Sequence, residues 1–426
     1  MQGTMARSTR ASRRAHFAIV GINYAPEQTG IGPYTTAMSE RLAEVGHDVT
    51  VVTGMPHYPQ WRVAPPYRGQ LSTTEERNGV CLLRFASYVP RRQSALKRGL
   101  YEGSFLVNAG RALRRLQPPT AIVGVVPALA GAVLARLLAR RFGAPYGLIF
   151  QDLMSLAATQ SGIAGGRTVA AATARVESWA AGDAAAVATV SERFTPHLVE
   201  LGVSPDRIVH LPNWHHTPDV TTADRSATRA RLGWRSDEVV VLHAGNMGLK
   251  QNLEQVVAAA RLAAATQDLI RFAFLGDGSQ REPLQAAAAN LPNVSFHGFE
   301  PDATFPDALA AADVLLVSER SSTLDMSLPS KLTSYFAAGR PVVAAVAPAG
   351  GTAGEIERSG GGIVVPPDLP QELVDAIRLL SRDESRSREL AQSARAYAGD
   401  SLAAEPALER AVRFFGRVAA ASNPTQ

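Results

Sequence analysis

The chain has 426 residues, of which 46% are hydrophobic and 19% charged, and its formal net charge at pH 7 is +5. This composition excludes disordered and collagen-like chains, and the length predicts two domains of about 200 residues each. Cys81 is the sole cysteine of the sequence, which excludes an intrachain disulfide and indicates a reducing compartment. The positive charge favours an anionic partner: a nucleotide, a phosphorylated lipid, an acidic membrane or a nucleic acid.

The amino terminus and the most apolar segment bear on membrane insertion. Residues 1–15 are basic with almost no apolar content, so we predict a disordered tail without the apolar stretch of a signal peptide. The most hydrophobic run, residues 121–135, contains Pro127 and Gly131 and stops at Arg136. It is shorter than the roughly 20 residues that cross a bilayer, so we expect a buried strand and a buried helix there and no transmembrane span.

The first half of the chain begins with a pattern that predicts a doubly wound parallel sheet. An apolar run at 16–20 precedes the loop GINYAPEQTGIGPY, the helix-like TTAMSERLAEVG and the strand DVTVVT. Gly30 and Gly32 in that loop fit either a tight turn or a phosphate site, and the sequence alone leaves both open. Further strands are predicted at 80–85, 121–126, 146–150, 184–190 and 208–211.

Asp152 comes directly after the strand predicted at 146–150. Polar residues at the carboxyl ends of parallel strands line ligand crevices, which indicates a role in a cleft. The alternative is that Asp152 caps the next turn.

A basic region covers residues 91–115. Its apolar positions Leu96, Leu100, Phe105, Leu106 and Leu113 approximate one helical face. Either a solvated basic helix or a patch resting on an anionic membrane explains this pattern. The cationic residues are Arg91, Arg92, Lys97, Arg98, Arg111, Arg114 and Arg115.

The second half begins with another strand, glycine-containing loop and helix, VVVLHAGNMGLKQNLEQVVAAARL. Lys250 lies just before the amino end of that helix, where a cation and free N–H groups together can neutralise a diphosphate. His215 and His216 precede this unit, and because no other ligand follows at metal-site spacing we interpret them as linker residues rather than metal ligands.

The stretch 318–345, SERSSTLDMSLPSKLTSYFAAGRPVVAA, is the most informative one. It follows a predicted strand at 313–317, and Pro329 with Ser330 opens a helix that ends at Gly339. Polar residues at a strand's carboxyl end and a helix's amino end predict a nucleotide site. The segment PSKLTSYFAAGRPVVA resembles the donor-binding segment of retaining glycosyltransferases of the GT-B type, family GT4, in the exopolysaccharide or colanic-acid-type branch. YAPEQTGIGPY resembles the first loop of that family.

The resemblance implies an α/β architecture of two Rossmann-like domains facing across a cleft. Residues 16–214 would form the acceptor-side domain and residues 215–400 the nucleotide-sugar domain, while 401–426 would form a helix crossing back to the first domain. The implied reaction moves a hexosyl group, with retention, from a UDP- or GDP-sugar to a polyprenyl-diphosphate-linked glycan or similar exopolysaccharide intermediate. The implied location is the inner face of the cytoplasmic membrane, with the 91–115 region on the anionic surface and no nucleic acid or cofactor involved.

The resemblance also implies roles for particular residues. Lys250 matches a family lysine on the leaving diphosphate and Lys331 assists it, while Asp152 would contact the transferred sugar or the acceptor. Asn246 replaces a family arginine, and Met326 and Ser334 replace a pair of glutamates; Ser334 can still bind ribose, and Asp325 lies one residue from the first glutamate position. The remaining donor contacts are Gly30, Gly32, Gly245, Gly298, Phe299 and Ser330.

Two other functions remain open. A sugar-nucleotide epimerase shares the two-domain fold but needs a general acid and base, and the segments above show no obvious acidic pair. A catalytically inactive assembly partner would explain the replacements at Asn246 and Ser334. Because the sequence has no Asp-x-Asp motif, we expect metal-independent chemistry.

Overall fold

The computed structural model describes residues 14–27, 30–90, 94–160, 166–215, 224–301, 303–324 and 330–421. The predicted tail up to residue 13, together with Arg91, Arg92, His216 and Asp325, lies outside the described residues.

The first lobe is built on an eight-stranded sheet in the order β3-β4-β2-β1-β5-β6-β7-β8. All neighbours in this sheet are parallel except β3, which runs antiparallel to β4. The elements are β1 (His16–Val20), α1 (Gly32–Glu44), β2 (Asp48–Gly54), β3 (Ser72–Arg77), β4 (Val80–Phe85), α2 (Ala95–Ala109), α3 (Ala112–Arg115), β5 (Ala121–Val126), α4 (Leu129–Phe142), β6 (Tyr146–Phe150), α5 (Met154–Gln160), α6 (Gly166–Gly182), β7 (Ala186–Thr189), α7 (Thr195–Glu200) and β8 (Ile208–His210).

The second lobe is built on a six-stranded parallel sheet in the order β11-β10-β9-β12-β13-β14. The elements are α8 (Arg225–Arg231), β9 (Val239–Ala244), α9 (Leu253–Ala265), β10 (Ile270–Leu275), α10 (Arg281–Ala287), β11 (Val294–His297), α11 (Phe305–Ala311), β12 (Val314–Ser318), α12 (Lys331–Ala337), β13 (Val342–Ala345), α13 (Gly351–Ser359), β14 (Gly362–Val365), α14 (Pro370–Arg382), α15 (Glu384–Ser401) and α16 (Ala404–Ala420).

The last helix returns to the first lobe. Phe414, Phe415 and Val418 of α16 are buried in the same apolar cluster as strands β1 and β5, and the rings of Phe17 and Phe415 meet edge to face at 5.5 Å. The chain passes from one lobe to the other near His215 and returns near Leu402. These two segments lie side by side, since the His215 N–H donates to the Leu402 carbonyl at 3.1 Å. The predicted fold, two Rossmann-like lobes with a returning helix, is confirmed.

Strand β3 is absent from the predicted strands. Its sequence STTEER contains no apolar residue and none of its side chains is fully buried. Because β3 lies at the sheet edge and pairs on one side only, backbone pairing to β4 holds it, and hydrophobic periodicity cannot reveal such a strand.

The single apolar face predicted for region 91–115 is wrong. Leu96 and Leu100 of α2 are 76% and 52% exposed, whereas Phe105 is fully buried. These positions lie on opposite sides of the helix, so α2 buries one apolar stripe in the core and presents a second one to solvent. In the described part of the chain no helix combines the length and apolarity that crossing a bilayer requires.

Candidate active site

Lys331 is the first residue of α12, and its side chain lies against the loop that follows β9. Its Nζ atom is 3.3 Å from Nε2 of His243, a fully buried residue of β9. Gly245 follows β9 with φ of +121°, and a Cβ there would lie 3.6 Å from the Lys331 amine. The loop after one strand and the start of one helix therefore enclose a cation at the carboxyl edge of the second sheet.

The surroundings favour the neutral forms of Lys331 and His243. Burial lowers the pKa of Lys331 to about 7, Glu319 opposes this shift, and the positive charge of Lys250 adds to it. Burial, and then the charge of Lys331, hold the pKa of His243 well below its ordinary value. His243 is therefore a neutral imidazole in the physiological range, and Lys331 is poised to gain full charge when an anion arrives.

Glu319 is a buried carboxylate that the sequence analysis did not single out. It directly follows β12, and its Oε2 accepts a hydrogen bond of 2.7 Å from the Thr352 hydroxyl. Burial raises its pKa, while Thr352 and the two lysines, Lys250 and Lys331, oppose that rise. A charged residue at the carboxyl end of an apolar strand was the signal available in the sequence.

Lys250 lies in a short helical turn, Leu249–Gln251, between β9 and α9. The side-chain oxygen of Gln251 accepts from the Gly248 N–H at 3.0 Å, and the Lys250 carbonyl accepts from the Arg320 N–H at 2.9 Å. These contacts join the loop after β9 to the segment after β12. Lys250 and Asn246 are exposed on this loop, where they can reach a ligand.

Asp152 of the first lobe faces this loop. Burial raises the pKa of Asp152 to about 6, and the charges of Lys250 and Arg98 act in the opposite direction. Asp152 and Lys250 thus interact electrostatically across the cleft. At the start of α5 it is Glu177 that accepts from the Met154 N–H at 2.8 Å and from the Ser155 N–H at 3.3 Å.

The glycine loop of the first lobe lies on the other wall of the cleft. Gly30 has φ of +69°, in the left-handed region that favours glycine, and its Cβ position lies 3.2 Å from the Tyr58 ring. Gly32 begins α1. Tyr34 of α1 makes a side-chain hydrogen bond with Thr333 of α12, and burial raises its pKa to about 12. Helix α1 and helix α12 therefore meet across the cleft.

The other predicted donor contacts lie along the second sheet. Gly298 and Phe299 follow β11, the outermost strand on that side, and both are exposed, Phe299 by 62%. Ser330 is exposed before α12, and Ser334 is half-buried one turn beyond Lys331. The structure therefore brings together Lys250, Lys331, Gly245, Asn246 and Asp152, and it places Gly298 and Phe299 beyond the intervening strand β10.

The described residues contain no group of three or more histidine, cysteine, aspartate or glutamate side chains that could hold a metal ion. His215, one of the two histidines interpreted as linker residues, lies where the two lobe crossings adjoin.

Comparison with known proteins gives two adjoining family matches. The family described as Glycosyl transferase 4-like domain matches residues 29–214, and Glycosyl transferases group 1 matches residues 224–397. A similar curated protein is the putative colanic acid biosynthesis glycosyl transferase WcaI of Escherichia coli (strain K12), which is 35% identical over 88% of this chain and 95% of that protein.

Solved structures match the whole architecture. Sucrose-phosphate synthase from Thermosynechococcus elongatus has a TM-score of 0.74 at 18% identity, covering 95% of this chain and 99% of that one. Anabaena Alr3699/HepE in complex with UDP-glucose has a TM-score of 0.66 at 17% identity, covering 95% and 100%. At these identities the likeness concerns the fold alone.

Proposed function

Because the chain belongs to the GT-B glycosyltransferases of family GT4, in the colanic-acid-type branch, we propose that it moves a hexosyl group from a UDP- or GDP-sugar, with retention of anomeric configuration. The proposed acceptor is a polyprenyl-diphosphate-linked glycan or similar exopolysaccharide intermediate. The observation that carries the proposal is the convergence of Lys331 and Lys250 on the loop after β9, facing Asp152 across the cleft.

The chemistry follows from where charge develops. Breaking the anomeric bond leaves negative charge on the diphosphate, and the two lysines with nearby backbone N–H groups are suited to stabilise it. Lys331 is half-buried, so its amine is incompletely hydrated and a diphosphate displaces less water from it than from an exposed lysine. A phosphate oxygen of the donor takes the acceptor proton, which requires no carboxylate nucleophile, and Asp152 contacts the transferred sugar or the acceptor.

The remaining donor contacts are assigned by their places along the sheet. Ser334 would bind the ribose hydroxyls one turn beyond Lys331, and the exposed loop at Gly298 and Phe299 would lie along the base. Gly245, Asn246, Ser330 and the loop at Gly30 and Gly32 would surround the diphosphate and sugar. Asp325 would take the place of the first glutamate of the family pair. No metal and no cofactor take part in the proposed reaction.

Helix α2 supports a membrane-bound acceptor. Leu96, Leu100 and Val107 are 76%, 52% and 75% exposed and follow one another at helical spacing on the outer face. The exposed cations Arg111, Arg114 and Arg115 come shortly after them. An apolar stripe beside basic residues suits an anionic membrane surface, so we place the protein peripherally on the inner face of the cytoplasmic membrane, without a nucleic-acid partner.

One observation favours the epimerase alternative. The sequence offered no acidic pair, but the structure provides two carboxylates of raised pKa near Lys250, namely Asp152 and Glu319. Glu319, however, accepts a hydrogen bond from Thr352 and has two lysines nearby. These surroundings suit a permanently charged counter-ion better than a proton donor.

A panel of UDP-, GDP- and ADP-sugars separates the three functions. The transferase predicts slow donor hydrolysis and nucleotide release, which the double variant Lys250→Ala/Lys331→Ala abolishes. An isomerised donor would identify an epimerase. Nucleotide release that is unaffected by the double variant would refute the proposed role of the lysines, and silence across the panel would favour an inactive assembly partner.

A further inference from the structure

A separate cavity of about 320 Å³ lies in the first lobe. It lies between the glycine loop and the segment after β2, and its lining includes Glu27, Tyr58, Arg62 and Arg68. None of the donor contacts proposed above belongs to its lining. The inference below rests on the proposed function, because it concerns the second substrate of that reaction.

Glu27 forms the rigid part of the wall. It is 6% exposed, and its Oε1 accepts from the N–H groups of His57 and Tyr58 at 2.8 and 2.9 Å. Its Oε2 accepts from the Asn23 amide at 2.8 Å. Both carboxylate oxygens are therefore satisfied from within the lobe, so the charge of Glu27 holds two loops together rather than reaching into the cavity.

The two arginines of the lining can bind a ligand in the cavity. Arg62 and Arg68 are exposed, and the Arg68 Nε donates to the Val63 carbonyl at 3.1 Å, which leaves its two terminal nitrogens available. Among the described residues no carboxylate oxygen lies within 4.0 Å of a nitrogen of either guanidinium group. The lining therefore carries two guanidinium groups with fork-shaped donors against the single carboxylate of Glu27, so its net charge is positive.

Tyr58 connects this cavity to the cleft. Its ring lies against Gly30 of the glycine loop. After burial, the charges of Glu27 and Asp152 contribute to the raised pKa of Tyr58, so its hydroxyl lies within electrostatic reach of both carboxylates. The cavity therefore adjoins the glycine loop through Tyr58, a residue that interacts electrostatically with Asp152.

We propose that this cavity is the acceptor subsite and that Arg62 and Arg68 bind an anionic group of the acceptor glycan. The recognised chemistry is a set of charged oxygens, either of a diphosphate or of a sugar carboxylate, which guanidinium groups bind in a bidentate manner. The Tyr58 ring supplies the wall against which the neighbouring sugar packs.

The test uses the full chain carrying Lys250→Ala/Lys331→Ala, so that the proposed donor contacts cannot bind the probes. Inorganic pyrophosphate and methyl glucuronide are titrated separately, with methyl glucoside as the neutral probe, by calorimetry and by Trp61 fluorescence. Trp61 reports on the wall because its ring centroid lies 6.0 Å from that of Tyr58. Saturable binding of one anionic probe is expected, and the responding probe identifies a diphosphate or an acidic sugar.

Adding Arg62→Gln/Arg68→Gln should weaken that binding about tenfold or more, because two charge-assisted contacts are lost. Both arginines are exposed, so the fold should persist, and Arg141→Gln on α4 is the matched control. Absence of binding by either anion, or equal binding in the arginine variant, would overturn the inference. UDP binding to the chain with intact lysines is measured in parallel, so a failure of the proposed donor site is distinguished from a failure of this subsite.

Discussion

At the scale of single residues, we expect Lys331 to contribute strongly to the affinity of the site for a diphosphate. Its amine rests on a neutral histidine and a glycine loop, with the Glu319 carboxylate as its counter-charge. Such a cation is costly in the free protein and is most stable when a diphosphate is bound. Nucleotide binding and proton uptake by Lys331 should therefore be coupled.

This coupling predicts a pH dependence. The charged amine binds the diphosphate, and burial lowers the pKa of Lys331 in the free protein to about 7. UDP affinity should be full below that pH and fall above it, by about tenfold per pH unit up to the higher pKa of the complex. Calorimetric titration from pH 7 to 9 measures this, a range in which the terminal phosphate of UDP is already ionised.

Lys331→Arg is the matched control, because a guanidinium stays protonated over this range and its affinity profile should be flat. A wild-type profile as flat as that of the arginine variant would show that Lys331 does not titrate on binding.

Asp152 should affect transfer rather than nucleotide binding. Burial raises its pKa to about 6, so the carboxylate is mostly ionised at pH 7 and faces Lys250. Asp152→Asn removes that charge while keeping the shape, and we expect donor turnover to fall on the order of a hundredfold while UDP affinity is retained. Asp206→Asn, at an exposed site of the same lobe, is the control. Unchanged turnover in the Asp152 variant would remove Asp152 from the mechanism.

Helix α2 has two faces with different roles. Its inner face carries Tyr101 and Phe105 into the core, and Arg98 on the cleft side interacts with Asp152. Its outer face carries exposed leucines and a valine that cover no part of the first lobe. Such a helix contributes to folding, to the cleft and to an external surface at once.

The outer face is testable by vesicle binding. The triple variant Leu96→Ser/Leu100→Ser/Val107→Ser should reduce co-sedimentation with phosphatidylglycerol vesicles about tenfold or more, because each exposed side chain loses apolar area that the membrane would bury. The unfolding midpoint should not change, since these residues are already solvated. Leu71, Leu269 and Leu379 are comparably exposed elsewhere, and their triple serine variant is the control. Equal loss in both variants would contradict a specific docking face.

At the scale of the whole molecule, helix α16 makes the lobes interdependent. It follows the second lobe in the chain, yet Phe414, Phe415 and Val418 fill the core of the first. Gly147 of β6 allows this close approach, because a Cβ there would lie 2.6 Å from the Val418 side chain. The first lobe is therefore complete only when the final helix has been made.

Phe415→Ala should consequently destabilise the first lobe by about 3–5 kcal/mol, the cost of a large buried cavity. Differential scanning calorimetry should show the transition of the first lobe at lower temperature and that of the second lobe unshifted. The neighbouring Arg413 has 67% of its side chain exposed, so Arg413→Ala should shift neither transition. Loss of stability in the second lobe alone would contradict the packing described here.

Local signals accounted for much of this architecture. Apolar runs such as AIVGVV at β5 and VVVLHA at β9 predict buried strands by themselves, and the glycines and cations after them predict ligand loops. Lys250 and Lys331 were identifiable because each lies near the start of a helix that follows a strand. The family resemblance extended this to the reaction class, which the family matches support.

Tertiary structure alone decided which of these groups act together. The neutral state of His243 depends on Lys331, which lies 88 positions away in the sequence. Tyr34 contacts Thr333 of the other lobe, and the counter-charge of Glu319 acts on two lysines from different loops, Lys250 and Lys331. The same holds for the engagement of Glu27 and the splitting of α2 into two faces. Hydrophobic periodicity records only whether a side chain is buried, whereas charge and proton occupancy depend on which other side chains the fold brings beside it.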